Sequence, residues 1–173
     1  MSATTTIPQA PAKSDAVPTR TVVAFIFMVF GMFMAILDIQ IVSSSLAEIQ
    51  AGISASADEI TWVQTSYLIA EVVMIPLSGT LTRIFSTRWL FVASAASFTV
   101  MSLMCALSSS INEMMVWRAL QGFLGGAMIP TVFATSFTVF PPRFRNIISP
   151  VIGLIATLAP TIGGSFGSTA AAA

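Results

Sequence analysis

The chain has 173 residues, 55% of them hydrophobic and 8% charged, with seven basic residues, seven acidic residues and no histidine. A soluble domain carries about 25% charged residues. With a mean hydropathy of +0.90, this chain cannot cover a water-facing surface, and bilayer is its expected solvent. Zero net charge without a basic patch excludes a nucleic-acid partner, and a single cysteine, Cys105, excludes an internal disulfide and leaves no set of metal ligands.

Residues 1–20 are rich in Thr, Ala and Pro and show no apolar period, so they read as a disordered tail. A spanning helix needs about 20 mostly apolar residues, and such runs follow at about 22–46, 61–81, 89–107, 114–137 and 147–166. Ser-Leu-Ala at 45–47 resembles a signal-peptide cleavage site, but the run before it exceeds the usual length of about 7–15 residues and contains Asp38. It is expected to stay as the first span. Pro141 and Pro142 end the fourth span, because proline cannot continue a helix. The expected fold is an all-α membrane protein of five transmembrane helices.

The charges sort by side. Lys13 and Arg20 precede the first span, Arg83 and Arg88 lie between the second and third, and Arg143 and Arg145 between the fourth and fifth. The opposite loops carry Glu48, Asp58, Glu59 and Glu113 and no Lys or Arg. The positive-inside rule then places the N-terminus in the cytoplasm. Trp62, Trp89 and Trp117 fall near span ends, where interfacial aromatics belong.

Three ionisable residues remain inside spans: Asp38, Glu71 and Arg118. Each costs about 2.5–3.5 kcal/mol at the bilayer centre on insertion scales, which makes such residues candidates for function. Buried ion pairs that only fix packing are the plainer reading. Gly31, Asp38 and Ser45 are spaced by seven and share a helix face, and Gln64, Tyr67, Glu71 and Ser78 form a polar stripe at helical spacing. Arg118, Gly122 and Gly125 share a side of the fourth span, with Gln121 beside them. Gly122 and Gly126 form a small-xxx-small pair, and Gly163 and Gly167 form another, a pattern that lets helix backbones approach. Pro76, Pro130, Pro150 and Pro160 fall in or beside spans and predict bends there.

Several segments match a family pattern in order. "AILDIQIVSSSLAEIQ" is similar to a first-span motif with Asp38 at its aspartate, and "ITWVQTSYLIAEVVMIPLSGTL" to a second-span segment. "RALQGFLGGAMIP" matches R-x-x-Q-G-x-x-G-G with Arg118 and Gln121 in place, "FPPRFR" fits a P-P-x-x-R loop, and "GLIATLAPTIGG" is similar to the antiporter motif of a fifth span. On these residues the chain resembles the N-terminal part of the EmrB/QacA branch of the major facilitator superfamily, fourteen-helix drug–proton antiporters, over about residues 20 to 165. Departures are visible. Gln40, Ser43 and Ser45 stand where the first-span motif has Thr, Asn and Ala. In "GTLTRIFSTR", which begins at Gly79, Arg83 stands at the family's aspartate and Ser86 at its second glycine, with Arg88 following. In the fifth-span motif, only Thr161 and Ile162 separate Pro160 from Gly163 and Gly164.

The resemblance implies the N-terminal portion of a proton-coupled multidrug efflux transporter in a bacterial inner membrane, not an enzyme, driven by the proton gradient without a cofactor. It implies amphipathic drug-like substrates and, in a Gram-negative cell, a periplasmic adaptor and an outer-membrane channel as partners. Asp38 and Glu71 become coupling candidates, with Arg118, Gln121 and Tyr67 around them, and Gly153, Pro160, Gly163 and Gly164 a gating helix. Residues 168–173 do not continue the family pattern, so a truncated product that is inactive by itself is expected. A small structural or regulatory membrane protein without transport activity is the alternative.

Overall fold

The structure is a computed structural model that describes residues 17–53 and 56–170, with backbone alone at 53 and over 163–170. Among the described residues every regular element is an α-helix, and five helical stretches are long and apolar enough to cross a membrane. α1 (Thr19–Ser44) is followed by the short α2 (Leu46–Ile53), α3 (Ala57–Phe85), α4 (Thr87–Ala106), α5 (Ile111–Gly125), α6 (Met128–Val139) and α7 (Pro142–Ala170). Part of the tail expected over 1–20 lies outside the described residues, and α1 already includes Thr19 and Arg20. Residues 171–173 of the expected C-terminal tail also lie outside them, while the α7 backbone runs to Ala170.

Local chemistry explains where the helices start and stop. Ser56 and Glu59 form a reciprocal capping box, with Ser56 N donating to Glu59 Oε2 at 2.9 Å and Glu59 N to Ser56 Oγ at 3.3 Å. Two of the unpaired amides at the start of α3 are thereby satisfied, and the helix begins before its apolar run does. Ser110 caps α5 by accepting from Glu113 N at 3.3 Å, while Glu113 Oε2 accepts from Ser109 N at 3.2 Å. α1 ends at Ser44, whose hydroxyl turns back onto the Gln40 and Ile41 carbonyls, a backbone competition typical of serine. Phe140 is extended (φ −95°, ψ 138°) before Pro141, as the proline ring requires of its predecessor, and Pro142 opens α7.

The fourth span is two helices in series. Pro130 lacks the amide that would bond to the Gly126 carbonyl, and its ring crowds that same carbonyl. The turn at Gly126 and Ala127 separates α5 from α6 accordingly. This broken span is the centre of the bundle. Half of its apolar window is buried, against 11–28% for the other four spans. α3 and α4 pack on α5, and α7 packs on α1. Outward faces are apolar and open, including Phe27, Val72, Ile84 and Leu154, as a lipid-facing surface should be.

The basic residues gather at one end. A cleft between α1, α4 and α6 is lined by Arg20 of α1, Arg88 of α4 and Val139 of α6, so the ends that carry these residues lie together. Phe25 and Phe140 stack edge-to-face there, with ring centroids 4.9 Å apart.

Candidate functional site

The intramembrane ions meet in one place. Asp38 lies in the last two turns of α1 and Arg118 in the middle of α5. Arg118 Nη1 donates to Asp38 Oδ2 at 2.6 Å, and the side chains are 8% and 17% exposed. Gln121, fully buried one turn further along α5, donates its Nε2 to the same Oδ2 at 3.2 Å. One carboxylate oxygen thus receives a charge-assisted bond and an amide bond from one helix. Short contacts of this kind are roughly twice as strong as neutral ones. Arg118 Nε is buried without a hydrogen-bond partner among the described residues, so the guanidinium retains an unused donor inside the bundle.

A second junction forms where α3 crosses α5. Val63, Tyr67, Glu71, Met74 and Ser78 form its buried stripe. A Cβ placed on Gly122 would press on the Tyr67 carbonyl and stand 3.0 Å from its carbon, and one on Gly126 would stand 3.1 Å from Glu71 Cα. The G-x-x-x-G pair therefore grips α3 at two residues one helical turn apart, at backbone contact distance. That grip buries Tyr67, 2% exposed, and Glu71, 9% exposed, and Tyr67 lies within electrostatic reach of Asp38 and Arg118 as well as of Glu71. Ser66 Oγ adds a bond from α3 to the Met115 carbonyl of α5 at 3.3 Å.

The remaining sequence candidates are placed apart from this cluster. Gly79, Arg83 and Arg88 lie around the α3–α4 turn at the basic end and are exposed, with open space beside Gly79. The turn residue itself, Ser86, has φ 61° and ψ 148°, a backbone region essentially reserved for glycine. On the fifth span, no atom lies within 4 Å of a Cβ position at Gly153. α7 meets α1 through a different ridge, Ile148, Ile152 and Ile155 against Phe25 and Val29, which leaves Gly153 beside the seam. Pro160 is half-buried inside α7, and Gly163 and Gly164 continue its backbone, with their surroundings outside the described residues.

Cys105 was not singled out by its sequence context. It is buried on α4, and its thiol donates to Gln121 Oε1 at 3.6 Å. A simple hairpin register sets Cys105 against the first turn of α5, not against Gln121 further in, so no spacing rule points to the pair. No group of three or more His, Cys, Asp or Glu side chains that could hold a metal ion occurs among the described residues.

Comparison with known proteins supplies the family. The family described as Major Facilitator Superfamily matches residues 28–173. The "Colistin resistance protein EmrB" of Acinetobacter baumannii is 51% identical over 151 residues, which is 87% of this chain and 30% of that protein. "Multidrug resistance protein 3" of Bacillus subtilis is 29% identical over 141 residues, 82% of this chain and 27% of its own length. The "Probable multidrug resistance protein EmrY" of Escherichia coli is 32% identical over 135 residues, 78% of this chain and 26% of its own length. The chain therefore spans under a third of each of these relatives.

Proposed function

The chain belongs to the major facilitator superfamily, and from that premise we propose that it is the N-terminal portion of a proton-coupled multidrug exporter, with Asp38 as its coupling carboxylate. The observation that carries this reading is the ion pair of Asp38 and Arg118, two charges enclosed among membrane helices and reinforced by Gln121. Such residues mark ion and substrate pathways because a bundle keeps them only at a cost in insertion energy.

The chemistry follows from charge. An ionised Asp38 accepts from Arg118 and Gln121 and ties α1 to α5. A proton arriving at Asp38 removes that charge and weakens both bonds, so the helices are freed to rearrange. A cationic substrate competes with the proton for the same carboxylate, which is antiport in its simplest form. Glu71, held on α3 beside Gly126, is the second carboxylate on this path, and Tyr67 lies one turn away from it. The relatives' names speak of colistin and multidrug resistance, which supports an amphipathic drug-like cargo.

The gathering of arginines at one end supports a bacterial inner-membrane protein with that end and the N-terminus in the cytoplasm. A periplasmic adaptor and an outer-membrane channel are the partners this reading proposes. Alternating access needs two repeats moving about a midplane site, and five spans supply part of one, so this chain alone is proposed to be inactive.

The test is proton-driven dye efflux in the complete transporter. Asp38→Asn and Arg118→Ala are each expected to abolish it while the protein still reaches the membrane. Full efflux in both variants overturns the assignment. The 173-residue chain in proteoliposomes is expected to move no dye under an imposed proton gradient, and measurable transport overturns the inactivity.

A further inference from the structure

Gln121 is fully buried and has both an acceptor and a donor end to satisfy. An ionised carboxylate only accepts, so the amide must turn its NH2 group toward Asp38, and Nε2 lies 3.2 Å from Oδ2. This orientation aims Oε1 the other way, into the contact with α4. The thiol of Cys105 lies 3.6 Å from Oε1, a normal reach for a sulfur donor, and Cys105 is itself 5% exposed. Both ends of one amide are thus occupied, by partners on two other spans. A continuous line of side-chain hydrogen bonds runs from α4 through α5 to α1.

We propose that Cys105 is a positioning residue for Asp38: its thiol holds the Gln121 amide with the NH2 group toward the carboxylate and so ties the third span to the first. The inference rests on the reading of Asp38 as the coupling carboxylate for its functional meaning, but not for its geometry. With the thiol absent, Oε1 has no donor. The amide then gains by rotating toward any other donor in reach, and Asp38 loses its second bond. Serine at position 105 keeps an O–H donor of similar size, whereas valine fills the space and donates nothing. The inference also explains a cysteine at a buried site with no disulfide to form.

Infrared spectroscopy of the chain in lipid bilayers tests the geometry without any transport assay. The chain has one cysteine, so its S–H stretching band is unambiguous, and hydrogen bonding lowers that band. The wild-type band is expected below that of a free buried thiol, and Gln121→Leu is expected to raise it to the free position. A wild-type band already at the free position overturns the proposal, even if Gln121→Leu does not fold. The carboxylate stretch of Asp38, isolated by difference against Asp38→Asn, tests the positioning. Cys105→Val is expected to move that band toward its place in Gln121→Leu, and Cys105→Ser to restore it. An Asp38 band unchanged by Cys105→Val shows a contact that positions nothing, and this overturns the proposal. These bands stand or fall independently of efflux, so failure of the transport reading is told apart from failure of this one.

Discussion

α5 holds its neighbours by two different means within three helical turns. At Arg118 and Gln121 it reaches α1 and α4 through polar side chains, and the partners are specified by charge and by donor and acceptor. At Gly122 and Gly126 it meets α3 through bare backbone, and the partner is specified by shape alone. In lipid, apolar faces gain little from leaving the bilayer for each other, so helix association rests on close packing and on polar bonds. The first junction is held by charge and directed hydrogen bonds and the second by backbone fit. A bundle built this way has one joint that depends on the chemistry of its side chains beside one that depends on shape.

The sharpest way to break that comparison is to remove one partner from the polar joint. Arg118→Leu leaves Asp38 charged and enclosed without its counter-ion, which is expected to destabilise the bundle by about 3–5 kcal/mol. Denaturant titration in mixed micelles, followed by helical circular dichroism, measures this. Adding Asp38→Asn to the same chain is expected to recover most of the loss, since no uncompensated charge remains. A single variant within about 1 kcal/mol of wild type, the usual worth of an exposed pair, shows that the ions are wetter than their burial indicates.

The shape-specified joint yields the next effect. Gly122→Ala drives a methyl group against the Tyr67 backbone, which cannot swing aside as a side chain can, and is expected to cost about 3 kcal/mol. Gly126→Ala meets the Gly122 carbonyl oxygen at 2.8 Å, Glu71 Cα at 3.1 Å and Glu71 Cγ at 3.2 Å, looser than the contact at Gly122, and about 2 kcal/mol is expected there. The same unfolding titration ranks the two, and equal costs at both glycines contradict the backbone contact at Gly122. No double substitution with Asp38 is expected to relieve either of them.

The sequence was legible where physics acts over many residues at once. Twenty apolar residues declare a span, the loop arginines declare a common end of the bundle, and an Asp and an Arg in a bilayer seek each other whatever the helix order. The small-xxx-small spacing at Gly122 and Gly126 likewise announced a close backbone approach, although not that Tyr67 and Glu71 would receive it. Legibility failed where a single atom or a register decides. Pro130 signalled a bend but not the division of span four into α5 and α6. α2 was absorbed into the end of a span and a loop, because eight residues are too few for periodicity to declare. Cys105 carried no signal, since its partner depends on the axial offset of α4 against α5, which no local spacing encodes. Gly153 shows the same limit. The resemblance gives it a motif position on α7 but not its facing, and the contact ridge of α7 lies beside it.

Two smaller predictions bear on residues outside both joints. Ser86 occupies the position where the family pattern has glycine, and its positive φ is the physical reason for that glycine. Strain of this kind costs about 1–3 kcal/mol, partly offset by the extra unfolded-state freedom of glycine, about 0.4–1 kcal/mol. Ser86→Gly is therefore expected to stabilise the chain by about 1 kcal/mol in the same titration, and a loss of stability would mean that the turn does not adopt this geometry.

Gly153→Ala is the smallest effect and separates two meanings of a motif glycine. The position is helical and the space beside it is open, so a methyl group meets nothing. Glycine inside a helix costs about 0.5–1 kcal/mol relative to alanine. If α7 were a static strut, alanine would bring that gain with no other consequence. If Gly153 belongs to a helix that must flex during transport, the complete transporter carrying Gly153→Ala gains stability and loses efflux together. The expected outcome is a stability gain of about 0.5 kcal/mol in this chain, measured by micelle unfolding. A destabilised variant would place a neighbour against Gly153 and restore it to the packed seam, making α7 a third helix held by shape.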